Sequence, residues 1–306
     1  MSLYLKYRPK TFDEMIGNED MIEALKSMLS RDRKEIPHVF LFSGDSGCGK
    51  TTLARIMAKE LGCGAYDLIE IDTADYRGID SVRDIRRQAY MKPISGSCRV
   101  WILDEVHKMT GDAQSASLKI FEDTPIHTYF MLCTTDSDKL LKTILNRCSK
   151  FIVNPLTSSQ MTNLIKSISR KERKRVKEEV VNHIITYSLG SPRVALVLLD
   201  KVIDMLPEMA IKMVEKEAIM QNKVIDLCRA MIKKNTWSNI AEIIKALEDQ
   251  ESESIRRAVL GYCSSILLNS KDDAKAFLIM DCFKDPFWNN GRAGLVMACY
   301  EVFQND

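Results

Sequence analysis

The stretch Gly44-Asp45-Ser46-Gly47-Cys48-Gly49-Lys50-Thr51 matches the G-x-x-x-x-G-K-[ST] spacing in full. Glycines at those positions let backbone N–H groups turn inward around phosphate oxygens. A helix opening there adds the positive end of its dipole. Lys50 is expected to reach the outer phosphates of a nucleoside triphosphate, and Thr51 to offer its hydroxyl to Mg²⁺. A second group, Val100-Trp101-Ile102-Leu103-Asp104-Glu105, closes an apolar run with two carboxylates. Asp104 is expected to join Thr51 around the magnesium, and Glu105 to orient and polarise the attacking water. Hydrolysis also needs positive charge where negative charge develops. Arg147, in Asn146-Arg147-Cys148, and Arg193, in Gly190-Ser191-Pro192-Arg193, could supply it. Each reads equally well as a surface salt bridge, and the pattern does not choose.

These residues need a scaffold. Short apolar runs at His38–Phe42, Asp67–Ile71, Arg99–Leu103, Tyr129–Cys133 and Ser149–Val153 read as five strands. Segments with helical spacing lie between them, among them Thr52–Leu61 and Asp112–Glu122. Strands separated by helices predict a parallel sheet covered on both faces. Beyond Pro155 only helical patterns remain: Gln160–Ile168, Glu178–Tyr187, and Val194–Met205 with Pro192 at its first turn. From about Pro207 onward the chain reads as helical, with breaks near Asn235, near Asp249 and from Lys284 to Asn290.

The composition, 45% hydrophobic and 28% charged, excludes a disordered chain and a fibre. The longest apolar run, Val194–Leu199, is far too short to span a bilayer, and Met1–Lys6 lacks the apolar core of a signal peptide. A cytoplasmic protein is expected. Nine cysteines without a Cys-x-x-Cys pair, and only four histidines, give no local zinc signature. A net charge of +2 names no nucleic-acid partner, so any DNA-binding surface must be local.

Taken together, the motifs resemble those of AAA+ sliding-clamp loader ATPase subunits. Lys6-Tyr7-Arg8-Pro9-Lys10-Thr11-Phe12 with Ile16-Gly17 resembles the family's N-terminal box, which lies against the adenine. Asp104-Glu105-Val106-His107-Lys108-Met109 resembles the acidic strand of bacterial gamma/tau subunits. Thr134-Thr135-Asp136 resembles sensor 1, with Thr135 facing the γ-phosphate. Asn146-Arg147-Cys148 resembles the Ser-Arg-Cys motif, whose arginine acts in trans on a neighbour's ATP. Gly190–Arg193 resembles sensor 2. The similarity covers nearly all of residues 1 to 205.

The resemblance implies an α/β P-loop NTPase domain with a parallel five-stranded sheet at 1–155, a helical lid domain at 156–208 and an all-α collar domain at 209–306. It implies ATP and Mg²⁺ held by Tyr7, Arg8, Pro9, Ile16, Gly17, Asp45, Ser46, Gly47, Cys48, Gly49, Lys50, Thr51, Thr52, Asp104, Pro192 and Arg193. Lys50, Asp104, Glu105, Thr135 and Arg193 would be catalytic in cis, and Arg147 in trans. It implies as partners a sliding clamp, primer–template DNA and further loader subunits in a pentamer that includes a non-ATPase opener.

Arg77, Arg83, Arg86, Arg87 and Lys108 are the expected DNA contacts, made to phosphates rather than bases. Arg77 would also restrain Glu105 until DNA arrives. Met109–Gln114 corresponds to the family's clamp-contact region. The basic run Arg170–Lys177 reads as solvated surface and is left out of the site.

Two departures qualify the resemblance. Gly62–Tyr66 leaves no room for the four-cysteine zinc module of bacterial gamma/tau subunits, and Asn146 replaces a serine. Asp75–Arg83 is closer to small subunits of replication factor C. A compact loader from a bacteriophage would fit this mixture, placing the chain in the host cytoplasm. The alternatives are a related AAA+ recombination or replication-maintenance ATPase and a non-hydrolysing structural loader subunit.

Overall fold

The structure, a computed structural model, describes residues 1–73, 78–233, 235–248, 250, 252–269, 274–287 and 290–305. Five strands form one sheet: β1 Val39–Ser43, β2 Cys63–Asp72, β3 Cys98–Asp104, β4 Thr128–Thr134 and β5 Ser149–Ile152. All pair in parallel, in the order β2-β3-β4-β1-β5. The helices are α1 Leu3–Lys6, α2 Glu19–Leu29, α3 Lys50–Glu60, α4 Ile79–Ala89, α5 Gly111–Glu122, α6 Lys142–Leu145, α7 Ser158–Lys171, α8 Glu178–Ser188, α9 Pro192–Val202, α10 Pro207–Ile232, α11 Trp237–Lys245, α12 Ser252–Asn269, α13 Ala274–Cys282 and α14 Gly291–Gln304.

Side-chain alternation in the strands sorts the core into two layers. Phe40, Phe42, Val100, Ile102, Tyr129, Met131 and Cys133 face one side, against Leu25 of α2 and Leu53, Ile56 and Met57 of α3. Their sequence neighbours Val39, Leu41, Trp101, Leu103, Phe130 and Leu132 face the other side, against Val82 and Ile85 of α4 and Ala113 and Ile120 of α5. Because both faces are covered, β3 and β4 are apolar at consecutive positions, and their runs were readable without any alternation.

The edge strand departs from the sequence reading. It starts at Cys63 rather than Asp67, with a register irregularity between Cys63 and Leu68. A Cβ on Gly64 would lie 2.1 Å from Ser95 Oγ, and one on Gly96 would lie 2.3 Å from the Gly64 nitrogen. Only two glycines allow these backbones to pass, so the stretch that reads as a loop by composition is strand. Further along, Asp67 is fully buried and accepts hydrogen bonds from the backbone N–H groups of Ile94 (2.8 Å), Ser95 (2.7 Å) and Gly96 (3.3 Å). Arg99 Nη2 donates to it at 3.2 Å. Burial alone would push this carboxyl up. The Ser95 and Ile94 N–H groups and the Arg99 guanidinium outweigh burial and hold it at about 2.

The helices after the sheet start where capping chemistry starts them. Thr157 and Gln160 form a reciprocal capping box at the head of α7. Ser191 caps α9 through the Val194 N–H, with Pro192 in the first turn. Thus α7 begins at Ser158, ahead of the expected Gln160, and α9 ends at Val202, short of the expected Met205.

The chain divides into two compact units, Met1–Ile211 and Lys212–Asp306. The second holds its own core around Leu227, Ile244, Ile255, Val259, Phe283, Leu295 and Val302. Its buried polar clip is Glu253, which accepts from Arg256 Nη2 at 2.7 Å and from the Phe287 N–H at 2.9 Å. The apolar faces at Val224–Ile232, Ala241–Leu247, Ile255–Leu268 and Gly294–Phe303 largely serve this core, so ordinary packing accounts for them. The expected breaks near Asn235 and over Lys284–Asn290 separate α10 from α11 and α13 from α14. The one near Asp249 falls on a residue outside the described ones. Among the described residues, no helix is long and apolar enough to cross a membrane.

Candidate active site

β1 and β3 flank β4 in the parallel sheet, so their C-terminal ends deliver the phosphate-loop sequence and the acidic pair to one edge. Gly44 leaves β1, and α3 begins at Lys50 after Gly49. Lys50 is buried, and its ammonium donates to the carbonyls of Gly44 (2.8 Å) and Asp45 (2.9 Å). Thr51 Oγ1 donates to Asp104 Oδ2 at 2.7 Å, and the Glu105 N–H donates to Asp104 Oδ1 at 3.0 Å. Both oxygens of Asp104 are therefore oriented.

Glu105 adopts the left-handed conformation, φ 52°. That costs a non-glycine residue about 1–2 kcal/mol. Its carbonyl is pinned by the hydroxyl of Thr73 (2.7 Å) and the N–H of Lys108 (2.8 Å). The Glu105 carboxylate accepts from Thr135 Oγ1 at 3.3 Å.

A cavity of about 620 Å³ opens at this edge. Of the expected nucleotide residues, Tyr7, Arg8, Pro9, Ile16, Ser46, Gly47, Cys48, Gly49, Lys50, Thr51, Thr52, Asp104, Glu105, Pro192 and Arg193 line it. Gly17 and Asp45 stand outside the lining, with Gly17 against Leu156 and Gln160. Arg193 is seated on the loop. Its N–H reaches the Gly47 carbonyl at 3.5 Å, and a Cβ on Gly47 would lie 2.5 Å from Ser191 Oγ and 3.1 Å from Arg193 Cβ. Burial pushes the Cys48 thiol up, so it packs as an apolar residue.

The oxygen-rich pair Thr51 and Asp104 suits a hard cation such as Mg²⁺. The buried Lys50 ammonium, held only by loop carbonyls, suits a polyphosphate. The residues present fit a magnesium nucleotide.

Arg147 stands apart from this cavity. It pairs with Glu122 at 3.2 Å and donates to the Thr143 carbonyl at 3.0 Å. Arg83 and Arg87 are exposed on α4, each paired at 2.8 Å with an aspartate one turn earlier, Asp80 and Asp84. Arg86 is half-buried on the same helix, and Lys108 is exposed beside Glu105. Arg77 lies outside the described residues.

One part of the lining was missed. Leu164, Ser167, Ile168 and Lys171 of α7 face the cavity. Their i, i+3, i+4, i+7 spacing marks one helix face and was available as a signal. Lys171 belongs to the basic run set aside as solvated surface; it is exposed, as that reading expects, and it also lines the cavity. Its ammonium lies 5.6 Å from the Tyr7 ring centroid, with that of Lys6 at 5.3 Å. Lys6 also bonds Glu172 at 2.6 Å. The Glu172 carboxylate raises the proton affinity of Lys6 and Tyr7, and Lys6 lowers that of Glu172 in return.

Residues 65–157 match the family described as DNA polymerase III, delta subunit. The chain is 35% identical over 226 residues to DNA polymerase III subunit gamma/tau of Mycobacterium tuberculosis, covering 66% of this chain and 39% of that protein. It is 34% identical over 216 residues to DNA polymerase III subunit gamma of Buchnera aphidicola, covering 64% and 59%. It thus spans about two-fifths to three-fifths of the relatives' lengths. Among solved structures, the Thermotoga maritima RuvB Holliday junction branch migration motor aligns with a TM-score of 0.58 at 22% identity, covering 74% of this chain and 79% of that one. The fold is the AAA+ P-loop fold, and the resemblance to clamp-loader ATPase subunits is a measured similarity to gamma/tau sequences.

Proposed function

We propose that this chain is an ATPase subunit of a sliding-clamp loader, which uses ATP binding and hydrolysis to open a clamp and place it at primer–template DNA. The observation that carries the chemistry is the Thr51–Asp104 contact at 2.7 Å, with Lys50, Glu105 and Arg193 around one cavity. The similarity to gamma/tau subunits carries the biological setting.

Residues 1–155 would form the nucleotide-binding domain, 156–208 the lid and 209–306 the collar joining subunits in a pentamer with a non-ATPase opener. Tyr7, Arg8, Pro9 and Ile16 would enclose the base together with α7. Lys50 would exchange its loop carbonyls for phosphate oxygens, and Arg193 would add charge from the lid. Magnesium, held through Thr51 and Asp104, supplies charge neutralisation at the phosphates. Glu105 would accept a proton or hydrogen bond from the attacking water, with Thr135 beside it.

Arg147 lies off its own cavity, which supports a role on a neighbour's ATP. Arg83 and Arg87 would exchange weak exposed ion pairs for DNA phosphates.

ATP turnover measured with and without clamp and primed DNA tests this. Stimulation by both is expected, and Arg147→Ala should keep ATP binding while losing about 10³–10⁵ in stimulated rate. Unchanged turnover in that variant overturns the trans role. Clamp-independent turnover would favour the second reading, a recombination or replication-maintenance ATPase, to which the fold likeness with RuvB lends support.

A further inference from the structure

The residue after next from Glu105 has no part in the reading above, yet it touches the same carboxylate. His107 Nδ1 lies 3.3 Å from Glu105 Oε2 and 3.0 Å from Thr134 Oγ1. The hydroxyl of Thr134 has one proton and two lone pairs. The proton goes to the Asp136 carbonyl at 3.0 Å, and one lone pair accepts the Asp136 N–H at 3.0 Å. Only a lone pair is left for the imidazole, so Nδ1 must carry hydrogen. With its hydrogen bond going to Thr134, the same nitrogen still lies 3.3 Å from Glu105 Oε2, so the two groups face each other at ion-pair distance. Burial favours the neutral ring, with Lys139 and Lys108 acting in the same sense and Glu105 and Asp136 opposing it. The Nδ1–H form satisfies every bond without a charge on the ring.

Resting on the ATPase reading above, we infer that His107 is a positioning residue for hydrolysis: anchored through Nδ1 to Thr134 at the end of β4, its ring stands against the water-orienting carboxylate of Glu105 and holds it in place. Thr135 Oγ1 donates to Oε2 at 3.3 Å, and His107 Nδ1 lies at the same distance from that oxygen. Together they fix the rotation of the carboxylate about its terminal bond. Thr134 and Thr135, side by side, place one contact each on the carboxylate's support. His107 itself does not line the cavity, so nucleotide affinity should depend on it little.

The test uses the full chain, unmodified and as His107→Ala, His107→Asn and His107→Gln. Steady-state ATP turnover, equilibrium ATP binding and thermal unfolding are measured for each. His107→Ala should lower kcat by about 10–100-fold, the scale of a misplaced catalytic group, with KM and ATP affinity unchanged. Asparagine places an amide N–H near the position of Nδ1 and should restore most of the rate. Glutamine places it near Nε2 and should not. Equal rates in His107→Ala and the unmodified chain overturn the inference, as does equal rescue by asparagine and glutamine. If His107→Ala melts early, the asparagine–glutamine comparison at matched stability decides. An unmodified chain that binds no ATP, or binds it without turnover in the presence of clamp and DNA, overturns the ATPase reading itself and the inference with it.

Discussion

Strand β3 carries charge at both of its ends, and the two ends use it in opposite ways. Near its start, Arg99 is 5% exposed and meets an Asp67 that is 0% exposed, with the turn at Ile94–Gly96 wrapped around the carboxylate. Near its finish, Asp104 and Glu105 are only partly covered, and Lys50 is satisfied by carbonyls that a better acceptor could replace. The first cluster is closed: every oxygen of Asp67 already has its donors, so no ligand can gain by approaching. The second is poised, with one hydrogen bond and one histidine contact on Glu105, each at 3.3 Å, and Glu105 itself in the left-handed conformation. A buried carboxylate whose oxygens are all bonded fixes structure, whereas partly exposed charge with exchangeable partners is free for chemistry.

Exchanging the roles of the two ends by mutation would break this contrast. The largest effect is expected from Glu105→Gln, which keeps the shape of the site and removes the charge and basicity of the carboxylate. ATP turnover should fall by about 10²–10⁴-fold while ATP binding and the melting temperature hold. A coupled-enzyme assay beside a thermal melt reads both. A large loss of stability instead would mean that Glu105 is structural like Asp67.

The mirror experiment is Asp67→Ala. It strands the Arg99 guanidinium in the interior and should cost about 3–5 kcal/mol by urea unfolding. The kcat of the fraction that remains folded should be preserved. A stable but inactive variant would erase the distinction between the ends.

The finest test is by pH. Asp67 titrates at about 2 in the folded protein, below the ordinary carboxyl value near 4. Its folded pKa is depressed, so its contribution is present above about pH 4 and is lost as pH falls toward 2. The stability gap between the unmodified chain and Asp67→Asn should therefore close over that window. A gap that stays constant would deny the Asp67–Arg99 pair its role.

The poised end was the legible one. A phosphate loop and an acidic strand end are each contiguous, and together their spacing names the chemistry, whereas the Gly-Ser-Pro-Arg turn was legible only through the family resemblance. The central strands were legible for a related reason, since burial on both faces leaves an unbroken apolar run. The closed end was not. Asp67 reads as an ordinary polar strand position, because its partners lie on a turn that only the fold brings near. Lys171 was hidden by its neighbours, a charge run whose average character is solvated while one member faces the cavity. The early start of β2 was masked by the two glycines that make the crossing possible.

Gly47 and Ser191 sit far apart in the chain, yet a single methyl group would bring them into collision. Neither position can drift alone. A larger residue in the loop would demand that the tip of α9 retreat, and a retreating tip would lift Arg193 with it. The loop and the tip of α9 are coupled by steric exclusion, and an exchange of either segment must keep that fit.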